Sequence, residues 1–182
     1  MKKAIILLVS AGVLFVSGCG GKWNQANPDM PTELKTKYEQ SIEKFQKIVD
    51  ENPNDVDANF EIGFGYEQLG DFKKASKMYE KVIELDQKHY PALNNVALIY
   101  EKVGEYDQAA EHIKKLYEQN SDNQQVLKNT VRILLEADDP DSATAALENF
   151  TKLMKEQKEG SQGTAQLISD LYQTIYNYKQ NQ

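Results

Sequence analysis

Cysteine, arginine and histidine are scarce in this chain, and their scarcity removes whole classes of function. Cys19 is the only cysteine, so no intramolecular disulfide can form and there is no CxxC metal or redox site. Arg132 is the only arginine, in a chain of net charge −7. Bidentate phosphate recognition favours arginine and an acidic surface repels polyanions, so nucleic acid is not an expected partner. The acidity reads instead as a solvated surface. The two histidines are His89, in an expected turn, and His112, placed by its spacing on the exposed side of a helix. Neither has a cysteine or a close acidic set beside it, and no GxSxG, HExxH or Walker loop occurs. Gly63-Phe64-Gly65 lacks the third glycine and the strand of a dinucleotide loop. Acidic residues lie beside lysines, as in Glu80-Lys81 and Glu101-Lys102, the pattern of solvated helix faces. No enzyme, metal site or dissociable cofactor is expected.

Long apolar runs are nearly absent too. The exception is residues 4–16, which come after Lys2 and Lys3. Thirteen residues make a signal-peptide core and fall short of an ordinary membrane span. The run ends in Val16-Ser17-Gly18-Cys19, which resembles the bacterial lipobox: an aliphatic residue, two small residues, then cysteine. Small side chains suit a narrow peptidase cleft, and only a thiol can carry thioether-linked diacylglycerol. The resemblance implies removal of residues 1–18, a diacylglycerol on Cys19 and an acyl chain on its new amino group. Without residues 1–18 the chain holds 19 basic against 28 acidic residues, a net charge of −9. Three acyl chains exceed the two signals that stable anchoring requires. Gly20 stands where aspartate would signal retention at an inner membrane, so the outer membrane is expected in a two-membrane cell, and the outer face of the cell membrane otherwise. Residues 19–31, with Gly20, Gly21, Pro28 and Pro31, show no period and read as a lipidated, flexible tether. Its one aromatic, Trp23, is read either as a lipid-interface anchor or as an incidental linker residue.

What the chain has in abundance is repetition. Between residues 56 and 123 it reads as two copies of a 34-residue unit. Gly70 falls on Gly104, Phe72 on Tyr106, Ala75 on Ala109, Tyr79 on Ile113 and Val82 on Leu116; earlier, Ile62 falls on Val96, Gly63 on Ala97 and Tyr66 on Tyr100. A small residue beside an apolar one, an aromatic three later, a glycine turn and a second amphipathic stretch make a helix-turn-helix recipe. The unit resembles the tetratricopeptide repeat. The resemblance implies an all-α, helix-turn-helix solenoid, with full repeats at 56–89 and 90–123. Helix pairs are expected near 55–69 and 71–86, then near 90–103 and 105–120.

Residues 32–53 match only the second helix of a repeat: Tyr38, Ser41, Phe45 and Ile48 stand 34 before Phe72, Ala75, Tyr79 and Val82. Pro53 disfavours helix at Asn52, and Asn54 or Asp55 can cap the next helix. Residues 124–157 form a worn fourth copy, with Thr130 for an aliphatic residue, Asp138 for the turn glycine and Pro140 for the aromatic after it. The array is therefore expected over 32–157, followed by a linker and capping helix over 158–182 carrying Leu167, Ile168, Leu171, Ile175 and Tyr178 on one face. Tyr172, Tyr176 and Tyr178 make that helix amphipathic, which leaves open a second, partner-binding role.

Such arrays offer a concave groove lined by their first helices. The resemblance assigns it Phe60, Phe64 and Glu67, then Asn94, Leu98 and Glu101, then Lys128, Arg132 and Leu135, each set 34 after the last. The lining grades from aromatic to polar to basic, as would suit a peptide with one apolar and one acidic end. The alternative is that the first helix covers Phe60 and Phe64 as core. These two phenylalanines stand where chaperone-binding members carry lysine and asparagine, so grip on a C-terminal carboxylate is not expected. The resemblance, covering residues 32–156, implies a protein-interaction adaptor or scaffold in the bacterial envelope, with an envelope protein or peptide segment as partner. Lipidated members include pilotins, components of barrel-insertion machinery and adaptors for cell-wall hydrolases. A self-associating structural lipoprotein (a homo-oligomer) and a small-ligand or glycan binder are the alternatives.

Overall fold

A computed structural model describes residues 22–157 and 162–182; the lipobox and Cys19 lie outside the described residues. Among the described residues eight helices succeed one another: α1 (Thr32–Glu51), α2 (Val56–Gln68), α3 (Phe72–Leu85), α4 (Tyr90–Lys102), α5 (Tyr106–Gln119), α6 (Gln124–Glu136), α7 (Pro140–Gln157) and α8 (Gln162–Gln180). Among the described residues there is no strand, only one isolated bridge between Asn24 and Asp71. No helix described is long and apolar enough to cross a membrane.

α2, α3, α4, α6 and α7 begin where a side chain accepts from free backbone N–H groups, whereas α1 and α5 have no such side-chain cap. Asp55 accepts from Ala58 N at 2.9 Å, Asp71 from Lys74 N, Asn123 from Gln125 N and Val126 N, and Asp139 from Ser142 N. The ring of His89 takes the same role for α4, its Nδ1 accepting from Ala92 N at 3.2 Å. The turns between paired helices repeat one geometry. Gly70 and Gly104 both have φ +76°, and Asp138 stands in the same left-handed region at +58°. After each, an N–H returns to a carbonyl five residues back: Asp71 to Tyr66, Glu105 to Tyr100 and Asp139 to Leu134. That bond marks the helix-ending motif that needs a left-handed residue. Asp138 tolerates it as a short polar side chain can, which is why the worn fourth copy keeps the turn without glycine.

Packing tracks the 34-residue step. Ala75, Tyr79 and Val82, then Ala109, Ile113 and Leu116, then Ala143, Leu147 and Phe150 are buried at 0–2 % exposure. Gly63 lets α2 lie against the Tyr79 ring; a Cβ there would sit 3.0 Å from two ring carbons. Gly65 does the same for α1, since its Cβ would fall 2.6 Å from Ile42 Cγ1. Thr130 is buried in the fourth copy, and its hydroxyl donates to the Val126 carbonyl at 2.8 Å, so the polar replacement is satisfied. α8 lays Thr164 and Ile175, with Ile168, Leu171 and Tyr178, against the large core cluster of the later repeats. It therefore covers the end of the last repeat.

The part of the tether that is described does not hang free. Gln25 N donates to the Gly70 carbonyl at 2.9 Å, Lys22 pairs with Glu105, and Trp23 stands edge-on to Tyr100 at 5.7 Å. Residues 22–27 thus lie across the turns of the first two repeats, and Trp23 packs on protein. Nothing periodic announces this, because the contacts are one backbone bond, one ion pair and one ring edge. Gly104→Ala should cost about 1–2 kcal/mol, the strain of a left-handed alanine with open space around it. Gly70→Ala should cost more and also release the segment, because its Cβ would lie 2.4 Å from the Gln25 carbonyl oxygen. Urea unfolding together with Trp23 fluorescence separates the two; equal effects would contradict the docked segment.

Candidate functional site

The first helices α2, α4 and α6 recur with the 34-residue step, and side chains of α4 and α6 meet across the repeats. Glu101 on α4 pairs with Arg132 on α6, which also approaches Glu136 at 4.0 Å. Asn129 Nδ2 donates to Asn94 Oδ1 at 3.4 Å, again from α6 to α4. Between α4 and α6 residues at aligned positions thus touch, and the side chains expected to line the groove differ in what they leave open.

Phe60 is half-buried, its ring 5.4 Å from that of Tyr79 and 4.9 Å from that of His89. Phe64 keeps 38 % exposure, with the Tyr38 ring of α1 against it at 6.3 Å. The first helix thus covers one edge of Phe64 and leaves the rest open. Glu67 is not a free acid: the Tyr79 hydroxyl donates to its Oε2 at 2.6 Å. Burial pushes the Glu67 carboxyl above its ordinary value, and the Tyr79 hydrogen bond and Lys102 oppose the rise. Burial and the adjoining carboxylate likewise push the Tyr79 phenol well up. Leu98 is half-buried and lines a cavity of about 260 Å³ with Glu67, Gly70, Lys102 and Gln25 of the docked segment.

Two expected lining residues change role. Leu135, at 7 % exposure, is core. Its counterparts Glu67 and Glu101 are held by the Tyr79 hydroxyl and by Arg132, and the apolar side chain at the same place packs into the core instead. Arg132 spends its charge on Glu101 and Glu136, so the basic end of the groove comes down to exposed Lys128. Burial nonetheless pushes the Glu136 carboxyl up, against the pull of Arg132.

The residues missed by sequence reasoning are Asn95 and Asn129. Asn95 Nδ2 donates to the Tyr79 hydroxyl at 3.1 Å and its Oδ1 accepts from Asn94 Nδ2; Asn129 Oδ1 accepts from Gln125 Nε2 at 3.2 Å. From Glu67 through Tyr79, Asn95 and Asn94 to Asn129 and Gln125, one continuous polar track crosses the first three repeats. Asn95 and Asn129 are 34 apart, so their signal lies in the same step that sets the other rows. Each amide has two N–H donors and two acceptor lone pairs. The track therefore retains capacity for further hydrogen bonds. Its chemistry is that of a neutral amide row on α4 and α6, with the open face of Phe64 separate on α2. Among the described residues no group of three or more His, Cys, Asp or Glu is placed to hold a metal.

His112 differs from its expected place. It is half-buried, stacked on Tyr100 with centroids 5.6 Å apart and rings 7° from parallel, and its buried Nδ1 has no hydrogen-bond partner among the described residues. Burial, with Lys115 adding, holds it below the ordinary value of 6.5; Glu111 and Glu80 pull the other way. The fold thus favours neutral His112, and the unfolded chain takes up the proton first. Stability should fall as pH drops below about 6.5 and go on falling until the folded-state value is reached. His112→Phe should reduce the drop in melting temperature between about pH 7 and pH 5.5; an unchanged drop would contradict this.

Comparison with known proteins agrees with this architecture. Tetratricopeptide repeat family models match residues 56–89, 78–111 and 102–167. No curated protein matches the chain. Among solved structures, a crystal structure of MamA is similar with a TM-score of 0.58 at 15 % identity, over 84 % of this chain and 96 % of that one. MamA from Desulfovibrio magneticus RS-1 (residues 41 to the end) gives 0.56 at 12 % identity, over 82 % and 93 %, and MamA AMB-1 gives 0.57 at 19 % identity, over 80 % and 77 %. At such identities the likeness is one of fold. With the 34-residue step, the repeated left-handed turns and the family matches together, residues 56–167 of this chain are tetratricopeptide repeats.

Proposed function

We propose that this protein is a lipid-anchored adaptor of the bacterial envelope, which holds an extended segment of another envelope protein on the inner face of its repeats. Its repeats make it a protein-interaction scaffold; the anchor and the envelope setting are the further step. The observation that carries the reading is the amide track of Asn94, Asn95 and Asn129 together with the open ring of Phe64. Backbone amides of an extended segment match that track, an apolar side chain matches Phe64, and an acidic one matches Lys128. The anchor reading rests on Lys2, Lys3, the apolar run and Val16-Ser17-Gly18-Cys19. Tethering raises the effective concentration of partners at the same membrane, so modest affinity in the groove suffices.

Cys19→Ala tests the anchor. The variant should lose lipid labelling and leave the membrane fraction or stall as precursor. A mature-sized band that still fractionates with membranes would sink the lipoprotein reading. Groove binding is tested separately with Asn95→Ala/Asn129→Ala, expected to weaken partner capture while helical content holds.

A further inference from the structure

Three completed repeats bury one set of positions on their second helices, and α1 only half-covers the same set, with Ser41 and Phe45 half-buried and Ile48 exposed. Ala75, Tyr79 and Val82 and their counterparts in α5 and α7 are 0–2 % exposed, each covered by the first helix of its own repeat. In α1 the corresponding residues are Ser41, Phe45 and Ile48. Ile48 is 37 % exposed, Leu34 on the same face is 38 % exposed, and α1 has no fully buried residue. Among the described residues no helix lies on this face. The docked segment faces α1 across a cavity at Lys35, Glu39 and Ile42, round the helix from it.

At the other end, α8 stands in the opposite condition. It packs on α7, as α4 packs on α3 and α6 on α5, and unlike those first helices it also leans on the first helix before it, α6; Thr164, Ala165 and Ile168 continue the 34-residue step from Thr130, Val131 and Leu134. Its outer side carries Ala165, Ser169, Tyr172 and Tyr176, spaced as one stripe along the helix, with Tyr172 at 39 % and Tyr176 at 59 % exposure. No helix covers that stripe among the described residues. Two small residues followed by two aromatics offer close approach and then apolar area.

We infer that these two faces are made for each other: α8 of one copy supplies the first helix that α1 of the next copy lacks, so that a repeat is completed between two molecules. The chemistry fits. The α8 stripe is uncharged, with only Asp170 and Lys179 charged on that helix; on α1 the Lys44 ammonium lies 4.8 Å from the centre of the Phe45 ring, and its long side chain must swing aside to water as the faces join. The lengths match, 20 residues in α1 against 19 in α8. The contact continues the helix pairing already present three times in the chain. It is heterologous, since one end of each copy meets the other end of the next, and it generates rows or closed rings. The groove of each copy stays open, because the amide track lies on α4 and α6.

The test uses the full chain purified in detergent, compared by sedimentation with Ile48→Glu and Tyr176→Glu. Wild type should grow beyond dimer as concentration rises. Each variant alone should be a monomer, one lacking a usable α1 face and the other a usable α8 face. Mixed in equal amounts they should form dimers and go no further, because each still offers the face the other lost. A monomeric wild type at every concentration would overturn the inference; that is the result if residues 1–21 or a different protein occupy the α1 face. Dimers that persist in a single variant would overturn it in favour of a symmetric contact. Circular dichroism checks the fold, and Leu34→Glu replaces Ile48→Glu should helix be lost.

Discussion

Tyr79→Ala is expected to lower the free energy of unfolding by about 3–5 kcal/mol, the range for truncating a large buried aromatic. Tyr79 has no exposed surface. Its ring fills the space that Gly63 leaves on α2 and lies against Phe60, and its hydroxyl joins Glu67 to Asn95. Truncation therefore opens a cavity between α2 and α3 and strands a half-buried carboxylate. Tyr79→Phe keeps the ring and isolates the second effect. It should cost about 1–3 kcal/mol, the penalty for leaving buried polar partners unpaired, and should push the Glu67 carboxyl further up. Urea unfolding followed by circular dichroism measures both. A loss below about 1 kcal/mol for Tyr79→Ala would mean that the first repeat is not packed as described.

Phe150→Ala should cost a similar amount, about 3–5 kcal/mol, although it lies in the most degenerate copy. Phe150 is fully buried in the large cluster with Leu147, Leu134 and Tyr117. Beside it the Tyr117 hydroxyl donates to the Ala146 carbonyl at 2.6 Å, fixing α5 to α7. Because α8 rests on α7, the substitution should loosen the C-terminal helix as well, visible as faster amide exchange along α8. Tyr176→Ala on the outer side of α8 should instead stay within about 0.5 kcal/mol in the monomer. If Phe150→Ala were equally mild, residues 124–157 would not be a working repeat.

The repeat architecture can be read directly from the 34-residue step because burial repeats with it. A pair expected near 55–69 and 71–86 is found at Val56–Gln68 and Phe72–Leu85, and Asp138 keeps the turn because its short polar side chain tolerates the left-handed conformation. The groove is less legible. The step places Arg132 and Glu101 in adjacent rows, but a row assignment does not say that neighbours will neutralise each other. Leu135 shares its position with two glutamates, and only its hydrophobicity hints that it turns inward. Asn95 and Asn129 are one residue off the expected lining positions. Residues 22–27 and His112 escape a sequence reading for a different reason: their contacts are single, non-periodic events between distant parts of the chain, such as the Trp23–Tyr100 edge and the Tyr100–His112 stack. Local pattern carries no signal for these.

Site-specific photo-crosslinking in living cells, with the reactive side chain placed in turn at Asn94, Lys128, Lys77 and Lys115, reads which face of the repeats holds the partner. The first two lie on the aligned first helices; the last two are exposed on the second helices α3 and α5. One envelope protein should be captured from Asn94 and Lys128 and missed from Lys77 and Lys115, and its capture should fade when Asn95 and Asn129 are replaced by alanine. Equal capture from all four positions, or capture from the second helices alone, would contradict groove binding.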